Sequence, residues 1–180
     1  MTSADTPLDA SDSHSDGELL LTDFTASSSD LGWYVVNDNV MGGRSEGDFE
    51  LERGELCFTG HTNTNGGGFS SIRTKPMQLD LSNHAGIRLR VRGDGRRYTW
   101  RLTSAARWRG EQVSYWADFD TASDTWRVVE IPFSRFVPRF RGYQLDGPPL
   151  DTRQITGMGL MIYDKRDGPF ELCLAQVHAR

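Results

Sequence analysis

The chain has 180 residues, of which 37% are hydrophobic and 11% aromatic, including five Trp, enough for one packed core and too little length for two comfortable ones. This is not the composition of a disordered chain. Its net charge of -5 excludes a whole-chain attraction to nucleic acid, and no apolar stretch approaches the roughly 18 residues that a membrane-spanning helix requires, so membrane insertion is not expected.

Residues 1–17 carry Asp5, Asp9, Asp12 and Asp16 among Ser and Thr and are expected to form a disordered acidic tail. They lack the positive and apolar regions of a signal peptide and the Arg-rich, acid-poor character of a transit peptide, which points to a cytoplasmic location. Residues 18–180 are expected to form a single β-sandwich domain. Short runs that alternate apolar and polar residues follow one another: Leu19 to Phe24, Trp33 to Asn37, Phe49 to Glu52 with Glu55 to Thr59 across Arg53-Gly54, Phe69 to Thr74, and Met77 to Leu81. In the clearest alternation, Ile87, Leu89 and Val91 are interleaved with Arg88, Arg90 and Arg92. After Gly93-Asp94-Gly95, Tyr98, Trp100 and Leu102 alternate with Arg97, Thr99, Arg101 and Thr103, which reads as a hairpin. Further strands are expected at Gln112 to Phe119, Thr125 to Pro132, Gly157 to Tyr163 and Phe170 to His178. The stretch from Phe133 to Thr156, with Pro138, Pro148 and Pro149, reads as a packed loop.

No window carries a capped 3.6-residue apolar stripe, so the class is all-β: antiparallel sheets stacked as a sandwich or jelly roll, with a closed barrel as the rival. Cys57 and Cys173 have neither zinc-like nor disulfide-framework spacing and are read as buried thiols.

Catalytic chemistry finds little purchase. A Ser or Cys nucleophile needs a base and an orienting group, and His14, His61, His84 and His178 sit in no such signature. Asp118 and Asp120 could serve a hydrolase, but carboxylates two apart near a strand end are ordinarily solvated. Asp23, Asp164 and Glu171 lie near strand ends without the spacing of a calcium loop, so no metal and no cofactor are assigned.

Three features stand out as binding candidates. The run Asn37-Asp38-Asn39-Val40-Met41-Gly42-Gly43-Arg44-Ser45 packs amides, a carboxylate and two glycines behind Trp33; it is either a structural turn or a ligand loop. The segment Asn65-Gly66-Gly67-Gly68-Phe69 offers free backbone N–H groups but has no following helix to make a nucleotide site. The third is an arginine face, with Arg88, Arg90 and Arg92 outward and Arg97 and Arg101 sharing that face across the hairpin. It is either solvated among acidic neighbours or a surface that reads an anionic or hydrogen-bonding partner, with Trp116 as a stacking platform.

Trp33, the Asn37 to Gly43 run and Ser45 together resemble the N-terminal signature of the complex I intermediate-associated protein 30 family. Asn65 to Phe69, Arg90 to Gly95, Tyr98, Trp126 with Ile131-Pro132-Phe133, and Gly168-Pro169-Phe170 with Leu172 look like further blocks of it. The resemblance covers Leu19 to Arg180 and is that of a bacterial stand-alone member. It implies a galactose-binding-like jelly roll and a non-catalytic assembly chaperone whose protein partners are subunits of a respiratory complex at the membrane. On that reading the contact residues are Trp33, Asn37, Asp38, Asn39, Met41, Gly42, Gly43, Ser45, Asn65, Gly66, Gly67 and Phe69, followed by Arg88, Arg90, Arg101 and Trp116. The fold equally permits a carbohydrate-binding module that uses a sheet face and loops.

Overall fold

The computed structural model describes residues 17–180, apart from the side chains of Val40 and Met41. The acidic tail expected over residues 1–17 lies, except for Gly17, outside the described residues. Thirteen strands follow in chain order: β1 (Leu19–Thr22), β2 (Tyr34–Asn37), β3 (Glu46–Glu52), β4 (Glu55–Thr62), β5 (Ser70–Arg73), β6 (Gly86–Arg92), β7 (Arg97–Trp108), β8 (Glu111–Asp120), β9 (Trp126–Pro132), β10 (Val137–Phe140), β11 (Tyr143–Gln144), β12 (Ile155–Ile162) and β13 (Gly168–Ala179). They form two antiparallel sheets. One runs β3-β4-β13-β6-β9, with β1 also on β13; the other has seven strands in the order β11-β10-β8-β7-β12-β5-β2. The all-β sandwich expected from the alternation is the architecture found.

Between the sheets lies one hydrophobic cluster, to which β7 contributes Tyr98, Trp100 and Leu102, β8 Val113 and Tyr115, and β6 Ile87, Leu89 and Val91. Each is fully or almost fully removed from water, and burial of a side chain of this size contributes about 1.5–3 kcal/mol. Period-two alternation therefore puts the interleaved residues on the outer faces, where any ligand must meet the protein.

Four expectations change. First, β6 and β7 are not a hairpin: β6 pairs with β13 and β9, whereas β7 pairs with β8 and β12. Gly93-Asp94-Gly95 carries the chain from one sheet to the other. Alternation and a turn signal are the same for a hairpin and a crossover, so the sequence could not separate them. Arg88, Arg90 and Arg92 thus lie on the opposite outside of the molecule from Arg101. Second, the expected loop from Phe133 to Thr156 contains β10 and β11, which extend the second sheet beyond β8. Pro138 is tolerated in a short strand near the sheet edge. Third, Met77 to Leu81 is not a strand; only Leu79 makes a bridge, to Ile155.

Fourth, Cys57 and Cys173 are joined in a disulfide rather than held as thiols. They are 116 residues apart, but β4 and β13 are neighbours and place them directly opposite each other. That register is a property of the fold and leaves no mark on cysteine spacing. Such a bond persists in oxidising surroundings, and a reducing cytoplasm would hold the pair as thiols.

Candidate functional site

The outer face of the seven-stranded sheet is hollowed. Its central rows come from β5, β12, β7 and β8, where Arg101 stands opposite Gly159 on one side and Trp116 on the other, and Gly159 stands opposite Arg73. On β12 the outward positions Gly157 and Gly159 carry no side chain. A Cβ at Gly157 would come within 2.8 Å of the Thr103 hydroxyl, and one at Gly159 within 3.0 Å of the Ile72 carbonyl. These glycines lower the floor of the sheet, and two hollows adjoin there, of about 670 Å³ and about 520 Å³. Both are lined by Arg73, Arg101, Thr103 and Gln112, so together they make one trough across the strands.

Its charge is one-sided. Arg73, Arg101 and Arg107 line the larger hollow, Arg139 and Arg141 join at the smaller, and no Asp or Glu lines either. Among the described residues none of these five arginines has a carboxylate within 4.0 Å. Arg101 is only 9% exposed, and its Nε donates to nothing. Burial, reinforced by the neighbouring Arg73 guanidinium, pushes Arg101 down to about 9, against which Tyr34 acts weakly. Burial also lowers Arg73, whose Nε–H donates to the Ser71 hydroxyl at 3.3 Å. At neutral pH both remain cations, held without counter-charge in a low-dielectric setting. Arg139 lies 4.8 Å above the Trp116 ring, donates to the Gly142 carbonyl and leaves its own buried Nε unpartnered. Tyr163 packs edge-on against Trp116.

The two loops singled out in the sequence meet at one end of this trough. Asp38 is wholly buried. Its carboxylate accepts the N–H of Ser45 at 2.9 Å, of Gly68 at 2.7 Å and of Phe69 at 3.3 Å, while its own N–H donates to the Phe69 carbonyl. Gly43 and Gly67 press against this carboxylate so closely that neither has room for a Cβ. Ser45 accepts the Asn63 N–H, and the Asn65 N–H donates to the Asn63 side chain. The Asn37 carboxamide accepts the Ser70 hydroxyl, Gly42 takes a left-handed φ of 82°, and Asn39 and Gly66 are exposed. The Met41 side chain lies outside the described residues. This geometry favours the structural-turn reading for most of the run. Asp38 fastens the two loops together, and what reaches the trough wall is Gly67 and Phe69. Trp33 packs against Phe24 and Trp100 and belongs to the core margin.

The remaining candidates fall outside the two arginine-lined hollows. Arg88 pairs with Glu18, and Arg90 lies 5.0 Å over Trp126, both on the outer face of the other sheet. The Asp118 carboxylate accepts the Thr99 hydroxyl and Asp120 pairs with Arg97 at 3.0 Å; with Asp164 they line an adjoining hollow of about 670 Å³ on the same outer face, which shares Trp116, Arg139, Gly142 and Tyr163 with the trough. Asp164 is taken by Arg96 and Asp23 by Ser28 and Thr25; hydrogen bonds from those hydroxyls lower Asp23 to about 2. Glu55 lies beside Cys57 and Cys173, but their sulfurs are bonded to each other and offer no thiolate to a metal. Arg73, Arg139 and Tyr163 were missed in the sequence. The signal that could have found the trough is Gly157-x-Gly159 at period two within an otherwise apolar strand.

Fold and site together define an all-β sandwich with a long cationic trough on one outer sheet face. Residues 22–174 match the model of the family described as complex I intermediate-associated protein 30, and the chain belongs to that family. An uncharacterized protein of Schizosaccharomyces pombe is 33% identical over 166 residues, covering 81% of this chain and 76% of that protein. The mitochondrial complex I intermediate-associated protein 30 of Mus musculus is 29% identical over 166 residues, and that of Drosophila melanogaster 27% over 163. Each alignment covers 78% of this chain, which spans 49% of the mouse protein and 55% of the fly protein. Among solved structures, the family 11 carbohydrate-binding module of a Clostridium thermocellum cellulase superposes with a TM-score of 0.65 at 20% identity, covering 91% of this chain and 94% of that one. A family 30 carbohydrate-binding module does so at 0.57 and 12% identity, covering 89% and 87%. At such identities the likeness is one of fold.

Proposed function

We propose that this chain is a non-catalytic domain that binds a protein partner, in the manner of an assembly factor for respiratory complex I, and that it does so with the trough of the seven-stranded sheet. The observation that carries this reading is the row of arginines without counter-charges. Of the five, Arg101 is buried, Arg73 and Arg139 are half-buried, and Arg107 and Arg141 are exposed; a buried cation without a partner is costly to a fold, and the natural relief is a partner that brings the missing charge. No His, Cys, Asp or Glu lines either hollow, so the hydroxyls of Ser114 and Thr103 have no general base among the lining residues. Family membership supports the complex I direction, and the mouse and fly proteins are named for an intermediate of that complex.

The test is cross-linking of a tagged copy in its native host, followed by mass spectrometry, with Arg101→Met as the paired variant. Respiratory-complex subunits captured by the wild type and lost in the variant are expected. If those subunits are absent from the wild-type capture, the assembly reading fails. A second reading, carbohydrate binding, draws on the sandwich neighbours and on Trp116 and Tyr163 at the trough wall. It predicts that a neutral β-glucan oligosaccharide binds at millimolar concentration and that Trp116→Ala abolishes this. The protein-partner reading predicts no such binding.

A further inference from the structure

Resting on the protein-partner reading, we infer that the trough takes an extended acidic segment of polypeptide, with one of its Asp or Glu carboxylates seated between the guanidinium groups of Arg101 and Arg73. Arg101 is a built feature. It is nine-tenths buried, its Nε–H is aimed at nothing in the protein, and its place is cleared by the missing side chain of Gly159, whose would-be Cβ would lie 3.5 Å from the guanidinium. A guanidinium in this state lacks a planar oxygen acceptor, and a carboxylate supplies two oxygens at the spacing of its N–H fork. Arg73 faces the same floor from the next strand but one, so a single carboxylate can meet both cations.

Size decides for a chain over a small ion. Two hollows of about 670 Å³ and 520 Å³ share this arginine pair, far more room than an inorganic anion occupies. An extended polypeptide advancing about 3.3 Å per residue would cross the trough in a handful of residues. Arg107 flanks one end and Arg139 and Arg141 the other, so further acidic side chains would also meet cations; beyond Arg139 the adjoining hollow carries Asp118, Asp120 and Asp164, and the acidic segment must end or turn away there. Tyr34 on one side and Phe69 and Trp116 on the other offer apolar contact to the intervening residues. The whole chain carries a net charge of -5, so this cationic trough runs against its general field and selects anions locally.

The full chain would be titrated with a synthetic peptide, acetyl-Gly-Asp-Glu-Tyr-Asp-Glu-Gly-amide, and with its Asn/Gln counterpart. Affinity would be followed by calorimetry and the arginine Nε–H resonances by ¹H–¹⁵N spectroscopy. The acidic peptide should bind, more weakly as salt rises, and should move the Arg101 Nε–H signal, whereas the amide peptide should do neither. Arg101→Met should weaken binding at least tenfold. Arg101→Lys, which keeps the charge and loses the fork, should recover only part of it, and Arg88→Gln on the other sheet should leave it unchanged. The inference is overturned if the acidic peptide does not bind at 5 mM, or if Arg101→Met binds it as well as the wild type. Tighter binding of inorganic phosphate or of an oligoglucuronate would equally overturn it in favour of a different anion. If the peptide binds through Arg101 while cross-linking captures no respiratory subunits, the acidic-segment site stands and the complex I reading falls. Capture that persists in Arg101→Met separates them the other way.

Discussion

Arg96 and Arg101 lie five residues apart, are 8% and 9% exposed, and live under opposite rules. Arg96 is saturated. It forks onto Asp164 with bonds of 2.9 and 2.6 Å and also donates to the Thr62 hydroxyl and to the carbonyls of Arg166, Gly168 and Pro169. In this way it draws together the end of β4, the turn before β13 and the start of β7. Arg101 has neither carboxylate nor Nε acceptor. On the trough proposal, equal burial with unequal satisfaction separates a cation that serves the fold from one that serves a partner.

That contrast is best broken where it is strongest. Arg96→Met would leave Asp164 as an uncompensated buried charge, and an urea-unfolding experiment should show a loss of about 3–5 kcal/mol. Removal of the disulfide by Cys57→Ala with Cys173→Ala should cost about 2–4 kcal/mol in the same assay under oxidising conditions, because it frees a long loop in the unfolded chain. It should leave peptide binding intact, since the bond lies in the other sheet. Arg101→Met should reverse the sign, raising stability by about 1 kcal/mol as a desolvated cation gives way to an apolar chain of similar length. A loss as large as that of Arg96→Met would show that Arg101 serves the fold, and the contrast would collapse.

The sandwich was legible because its evidence is local: alternation marks buried faces strand by strand, and the eleven apolar runs that are strands needed no knowledge of one another. The trough was legible only in fragments. Arg101 and Trp116 were visible as outward residues of their strands, and Gly67 and Phe69 as part of a glycine loop. Their meeting depends on which strands are neighbours, and the turn at Gly93 to Gly95 gave no sign that β6 and β7 part company. The same ignorance of pairing hid the Cys57–Cys173 bond and grouped Arg88 and Arg90 with Arg101. In the folded chain the former two already have Glu18 and the Trp126 ring. Arg73 went unnoticed because it closes a four-residue strand and acquires meaning only from Gly159 and Arg101 across the sheet.

The Asp38 clasp has a consequence for reading related chains. Its three backbone N–H bonds, and the two glycines that must stay bare beside it, account for much of the signature from Asn37 to Ser45 and of the Asn65 to Phe69 block. Those letters spell a mounting bracket rather than a lock. A chain that carries them has the bracket, and on the trough proposal what it grips is set by the exposed strand faces, which lie outside that motif.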